Sequence, residues 1–349
     1  MPGGSDDMAD IMSPIEVKHV DFKNRAVMAP MVVFGLTSED GVMEPELVDH
    51  YLKRADTGIG LMISQALSVS PDEKISGGAG AYSDSHINYL SKIKDECHQN
   101  GTRFFAQLAY PGFSYYNDNS KDVNQLTKED LGKIRDDFIN GAKVCKKAGL
   151  DGIEMHGAHT FFLNMMASPR SNKREDKYGG DLNGRLFLLK EIVDGIKDFA
   201  GDDFIISYRM GWNESLDMDI KTAQAVENIG IDMMHVSSGI PGDRTWDIPE
   251  DFHYNEVVYT GCQVKKHVNI PVIVVNDIRT INRGKYLLEN DLCDFAAYGR
   301  PFLADENFMS QSAVNPDYDP CLRCKRCQWF ENIDKCPGQI KTKKRMKGV

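Results

Sequence analysis

Eight short apolar runs punctuate this sequence, with stretches of helical character between them. The runs occupy residues 25–31, 60–64, 103–108, 152–155, 204–210, 233–237, 270–275 and 293–298. Continuous rather than alternating apolar runs suit parallel strands covered on both faces. Helical spacing is read over residues 45–57, 85–99, 127–148, 185–199, 220–228, 256–268 and 280–289. The third of these carries its own punctuation. Thr127 precedes Glu129 and Asp130, a cap followed by acids in the first turn, and Gly149 marks the stop. Eight strands alternating with helices predict an α/β fold, a single (β/α)8 TIM barrel. An open doubly wound sheet is the competitor, but it calls for a Gly-x-Gly-x-x-Gly turn after a strand, and none stands at the right place.

A barrel of this kind takes about 250 residues, so the 349 residues leave room for a small appendage. Residues 1–14 read as a flexible N-terminus, 15–310 as the barrel, and 311–349 as a cysteine-rich C-terminal extension. Its basic tail from Lys341 reads as a mobile, solvated end. Lys+Arg 41 against Asp+Glu 52 gives a net charge of −11, which disfavours a nucleic-acid partner. No apolar run approaches the roughly 18–20 residues of a membrane span, and the first fourteen residues lack a basic-then-apolar leader. A cytoplasmic protein is expected. Its eight cysteines divide into four scattered ones, Cys97, Cys145, Cys262 and Cys293, read as small buried hydrophobes, and a cluster near the C-terminus.

Barrels build ligand sites from the C-terminal ends of their strands. Those ends supply Ala29-Pro30-Met31, Ser64-Gln65-Ala66, Gln107, His156 with His159, Arg209, Ser237-Ser238-Gly239, Asn276 and Gly299-Arg300. The set has cations and amides but no pair of carboxylates, which disfavours glycoside hydrolysis. It suits a flavin. The Gln107 amide can both donate to and accept from a pyrimidine edge. Arg209 can stabilise the negative charge of a reduced ring. Gly299 permits close backbone approach to a phosphate, and Arg300 supplies charge. His156 and His159 could be a satisfied structural pair. Their place after a strand also suits hydrogen-bond donation to a substrate oxygen.

The stretch from Asp151 to Arg185 carries a longer pattern. It reads His156-Gly157-Ala158-His159, Leu163-Asn164, Ser168-Pro169, then Asn172-x-Arg174-x-Asp176-x-Tyr178-Gly179-Gly180 and Asn183-x-Arg185. This resembles the signature of the Old Yellow Enzyme family of FMN-dependent ene-reductases, and the resemblance extends over residues 15–305. It implies that Ala29, Pro30, Met31, Ala66, Gln107, Arg209, Gly299 and Arg300 hold FMN, with Gly239 and Asn276 at the neighbouring strand ends. It also implies NADH or NADPH as electron donor. His156 and His159 would bind the carbonyl or nitro oxygen of an electron-poor alkene, a small-molecule substrate. Three positions depart from the pattern. Val32 stands where the family has Thr or Cys, Tyr110 where it commonly has His, and Phe161 where it has the Tyr that protonates the substrate. Ordinary alkene reduction then needs another proton donor, with Tyr110, Tyr115, Tyr116 and Tyr254 as candidates.

The clustered cysteines read Cys321-x2-Cys324-x2-Cys327-x8-Cys336-Pro337. This spacing fits an iron–sulfur cluster, with a structural zinc as the alternative. It is similar to the four-cysteine [4Fe-4S] motif after the barrel of 2,4-dienoyl-CoA reductase and trimethylamine dehydrogenase, whose last gap is longer. That resemblance implies a [4Fe-4S] cluster. It also implies a separate electron-transfer flavoprotein or ferredoxin as partner, and an electron-transfer or amine-dehydrogenase role as the alternative to ene reduction. Homo-oligomerisation is left open.

Overall fold

The apolar runs form the wall of a closed parallel barrel, in a computed structural model that describes residues 10–110, 122–330 and 332–346. In chain order the elements are β1 (Ile15–Val17), β2 (Val20–Phe22), β3 (Ala26–Met28), α1 (Pro45–Ala55), β4 (Leu61–Ser68), α2 (Ile87–Gln99), β5 (Arg103–Ala109), α3 (Lys128–Lys147), β6 (Gly152–Gly157), α4 (Phe162–Ala167), α5 (Leu182–Arg185), α6 (Phe187–Ala200), β7 (Ile205–Gly211), α7 (Leu216–Ile229), β8 (Met233–Ser237), α8 (Glu256–Lys265), β9 (Val272–Val275), α9 (Ile281–Glu289), β10 (Phe295–Tyr298), α10 (Arg300–Ala304), α11 (Phe308–Val314) and α12 (Pro337–Met346). Strands β3 to β10 pair in sequence and β10 returns to β3, closing the (β/α)8 barrel that the alternating pattern predicts. At the start of α3, Asp130 N–H donates to Thr127 Oγ1 at 3.1 Å and Thr127 N–H donates to Asp130 Oδ2 at 2.8 Å. This is a reciprocal cap on two otherwise orphaned donors.

Side chains alternate across each strand, so one parity faces the barrel axis. Val27, Leu61, Ile63, Phe105, Ile205, Met233, Ile273 and Phe295 form the inner cluster. A second, larger cluster fills the layer between strands and helices. The hairpin β1–β2 escaped the sequence reading because its strands are three residues long. It plugs the lower end, where Phe22 meets Phe105 and Phe295 edge-on at 6.2 and 5.3 Å. Continuing the inward parity upward gives Gln107, Glu154, Ser207 and His235, then His156, Arg209 and Ser237. The barrel interior is therefore apolar below and polar above.

Two terminal readings need correction. Residues 10–14 do not behave as a free end: Ile11 is buried and its carbonyl accepts Arg25 N–H at 2.9 Å. Residues 1–9 lie outside the described chain. The basic tail is helical as far as Met346, in α12. The extension docks on the barrel. Trp329 is buried against His50 with ring centroids 5.4 Å apart, and Tyr318 Oη donates to Asp305 Oδ2 at 2.6 Å. Helix α11 runs through the 310/311 boundary, because Phe308 packs against Tyr298 and Phe302 of the last barrel unit. Among the described residues no helix is long and apolar enough to cross a membrane.

Candidate active site

His156 ends the inward row of β6 and is buried. Its Nδ1 accepts Ala158 N–H at 3.4 Å, so the proton of the neutral ring resides on Nε2. Phe161 stacks on it at 4.2 Å with 27° between planes, and His159 meets it edge-on at 5.1 Å. The chain reaches His159 through a sharp reversal in which His159 and Thr160 take φ of 56° and 65°. Such values are uncommon for residues with a Cβ, and more so for a β-branched one. His159 N–H donates to Ser238 O at 3.0 Å, and Asn164 Oδ1 accepts Thr160 N–H at 3.0 Å, which together hold the reversal.

The two histidines are tied to Arg209 through Ser237. Arg209 Nη2 donates to Ser237 Oγ at 3.3 Å, and the same hydroxyl lies 2.8 Å from His159 Nε2. A guanidinium can only donate, so Ser237 accepts from Arg209 and links it to the His159 ring. Burial, reinforced by Arg209 and His235, keeps both His156 and His159 well below the ordinary histidine value. At neutral pH the pair offers uncharged N–H donors, while the fixed positive charge belongs to Arg209.

Beside this pair a cavity of about 310 Å³ opens at the strand ends. Ten of the predicted strand-end residues line it: Ala29, Pro30, Met31, His159, Arg209, Ser237, Ser238, Asn276, Gly299 and Arg300. Its side bearing Arg279 and Arg300 comes from the β9 and β10 ends. Asn276 and Asp277 have φ of 95° and 53°, and Asp277 Oδ1 holds Arg300 Nη2 and Arg279 Nε, each at 3.3 Å. A Cβ on Gly299 would approach Met31 Sδ to 3.3 Å, so this turn keeps the cavity open by lacking a side chain. Helix α10 is braced from behind. Buried Arg54 donates twice to Phe302 O, at 3.1 and 2.8 Å.

The other predicted residues sit elsewhere. Ala66 and Gln107 are register partners in the wall and nearly fully buried. Gly239 does not line the cavity. A Cβ there would meet Trp212 O at 2.0 Å, so its role is the close crossing of the β7 and β8 ends. Cys321, Cys324, Cys327 and Cys336 come together around one small pocket that also includes Arg300 and Leu303, and Cys327 lines the larger cavity as well. Among the described residues, however, no group of three or more His, Cys, Asp or Glu is arranged to hold a metal ion. Cys97, Cys145, Cys262 and Cys293 are buried as expected. Val32 is half-buried in the loop after β3, next to Val33, whose N–H donates to Gln65 Oε1 at 2.9 Å. Tyr254 is not a proton donor to the site, because its hydroxyl donates to Arg283 O at 2.7 Å outside the cavity. Tyr110 is buried against Phe162, and burial pushes its phenol up. Tyr115 and Tyr116 lie outside the described residues. Glu154 and His235 escaped the sequence reading, hidden inside apolar runs. An acid within Gly152–Met155 was the available signal.

Comparison with known proteins agrees with this architecture. Residues 10–315 match the model of the NADH:flavin oxidoreductase / NADH oxidase family. The chain is 31% identical to an NADPH dehydrogenase of Bacillus licheniformis, over 84% of this chain and 91% of that one. It is 30% identical to an NADH oxidase of Thermoanaerobacter brockii over 90% of its length, and it spans about half of that longer protein, 52%. The solved structure of an Old Yellow Enzyme homologue from Zymomonas mobilis superposes with a TM-score of 0.74 at 20% identity, covering 93% of this chain and 99% of that one.

Proposed function

The chain belongs to the NADH:flavin oxidoreductase / NADH oxidase family, the Old Yellow Enzyme family of FMN-dependent NAD(P)H oxidoreductases, and from that premise we propose that it passes hydride from NADH or NADPH through FMN to an α,β-unsaturated carbonyl or a similar electrophile. The observation that carries this reading is the pair of neutral donors, His156 and His159, standing beside an Arg209-lined cavity. The residues present fit the flavin. Buried Arg209 Nε has no protein partner, and the Gly299 turn leaves the cavity room that a side chain would fill. Ala29, Pro30, Met31, Arg209, Asn276, Gly299 and Arg300 would hold FMN, with Gln107 and Ala66 behind its pyrimidine edge. Bound FMN supplies the hydride. His156 and His159 grip the substrate oxygen, and withdrawing electrons there makes the β-carbon a hydride acceptor. Arg209 offsets negative charge on the reduced ring. Phe161 and its neighbours exclude water from the histidines.

We propose further that the four clustered cysteines hold a [4Fe-4S] centre. A cluster spreads its thiolates over separate irons, which suits four cysteines lining one pocket. Cys327, Arg300 and Leu303 border both pockets, and this favours a second reading in which electrons also pass to or from a flavoprotein or ferredoxin. Elemental analysis of anaerobically prepared protein should give about four irons per chain; stoichiometric zinc without iron refutes the centre. Stopped-flow mixing with NADH and NADPH separates the readings. Fast direct flavin reduction supports the self-sufficient reductase, and reduction only through an added carrier protein supports the relay.

A further inference from the structure

Beneath the cavity, in the middle of the barrel, lies a charge that the reading above does not use. Glu154 is fully buried, and its register neighbours are Gln107 on β5 and Ser207 on β7. A buried carboxylate persists only when it is paired and hydrogen-bonded. Glu154 has both kinds of support. Gln107 Nε2 donates to Oε1 at 2.7 Å, and His235 Nδ1 donates to Oε2 at 2.7 Å. Burial works against the charge. His235, Arg209 and Gln107 together outweigh it and hold the carboxyl below its ordinary value. His235 is fully buried and its Nε2 has no partner, so its single proton sits on Nδ1, facing Glu154. Burial also keeps that ring below the ordinary histidine value, so the dyad is a carboxylate beside a neutral imidazole.

Two consequences follow for the groups above. An ionised carboxylate accepts and never donates, so Gln107 must turn its NH₂ toward Glu154. The amide is thereby oriented by chemistry, with its carbonyl oxygen and second N–H left for a ligand. Arg209, one strand further on, is a cation whose charge acts on Glu154, and its register partner is His235 itself. Glu154 therefore partly neutralises the only guanidinium that reaches the histidine pair through Ser237 among the described residues.

We infer that Glu154, locked by His235, is a positioning residue for the flavin: it fixes which face of the Gln107 amide meets the pyrimidine edge, and its charge lowers the reduction potential. This rests on the reading that FMN occupies the cavity lined by Arg209. A reduced flavin is anionic, so a carboxylate held below it disfavours reduction, and removing that charge should favour it.

The test uses the full chain with its flavin, the wild type first. A wild-type protein that takes up no FMN defeats the parent reading before any variant is compared. With FMN bound, Glu154→Gln keeps the shape and removes the charge. The equilibrium between oxidised and reduced flavin, measured against a redox dye, should shift toward reduction by at least tenfold, about 30 mV for a two-electron couple. His235→Gln keeps the carboxylate and should leave that equilibrium within about threefold of wild type. A merely structural role predicts the opposite, with similar small shifts in both variants and altered thermal unfolding only. If Glu154→Gln does not fold, Glu154→Asp is measured instead. It keeps the charge but shortens the reach to Gln107, so FMN should dissociate at least tenfold more readily at an unchanged potential. An unshifted equilibrium in a folded Glu154→Gln, or unchanged FMN affinity in Glu154→Asp, overturns the inference.

Discussion

Substituting Phe161 by Tyr should accelerate alkene reduction, because it places an acid beside the histidine pair. Hydride delivered to one carbon must be matched by a proton at its neighbour. The ring of Phe161 lies 4.2 Å from His156 in a near-parallel stack, beside the two histidines proposed to grip the substrate oxygen. Its backbone is set by a hydrogen bond from its own N–H to Ala158 O at 3.1 Å. A para hydroxyl added there leaves the stack intact and brings an acid to the site. Positioned acid catalysis is typically worth about 10²–10⁴-fold, which is roughly 3–5 kcal/mol of barrier. Tyr110 is the competing source. It is buried against Phe162, and burial keeps its phenol protonated and so able to donate. The assay is the oxidative half-reaction, in which prereduced enzyme meets cyclohexenone, with flavin reduction by the nicotinamide as control. Phe161→Tyr should speed reoxidation by about 10²-fold or more and leave the control unchanged. Equal reoxidation rates, with the wild type already fast, refute the reasoning. A large loss in Tyr110→Phe would then identify the proton source.

Arg300→Ala should weaken FMN binding about tenfold, the low end for a charge-assisted contact because the guanidinium is partly exposed and shared with Asp277; fluorescence titration measures it. Stability should fall on acidification. Burial holds His50, His156, His159 and His235 below the ordinary value, so below about pH 6.5 the unfolded chain binds protons that the folded one refuses. Urea unfolding at pH 5.5 should give a free energy about 2–5 kcal/mol lower than at pH 7.5. The depressed carboxyl of Glu154 adds a further loss only below its unfolded value, near pH 4.5. Gly157→Ala drives a methyl to 2.1 Å from the buried Tyr208 Oη, next to His156. It should cost about 1–3 kcal/mol or more and lower the thermal midpoint; an unchanged midpoint contradicts the packing described.

The barrel was legible because each strand is a continuous apolar run, and because helix α3 carries its own cap at Thr127. The strand-end rule also located most of the cavity without any view of the fold, from Ala29 round to Arg300. What escaped was set by tertiary parity. Glu154 and His235 stand inside runs that read as apolar, and only the closed barrel shows that both point to its axis and face each other at 2.7 Å. The hairpin β1–β2 is too short for periodicity to register. At Gly239 the strand end is visible in the sequence, but the close crossing by the Trp212 backbone that requires a glycine there is not. The helical tail was obscured by its charge, since the apolar contacts that hold the extension come from distant partners such as His50 against Trp329.

The central claim is that one FMN sits at the C-terminal end of this barrel, and an absorbance spectrum of the full chain purified without oxygen tests it directly. Flavin bands corresponding to one FMN per chain, released on denaturation, are the expected result. A colourless protein that takes up no FMN on reconstitution would contradict it.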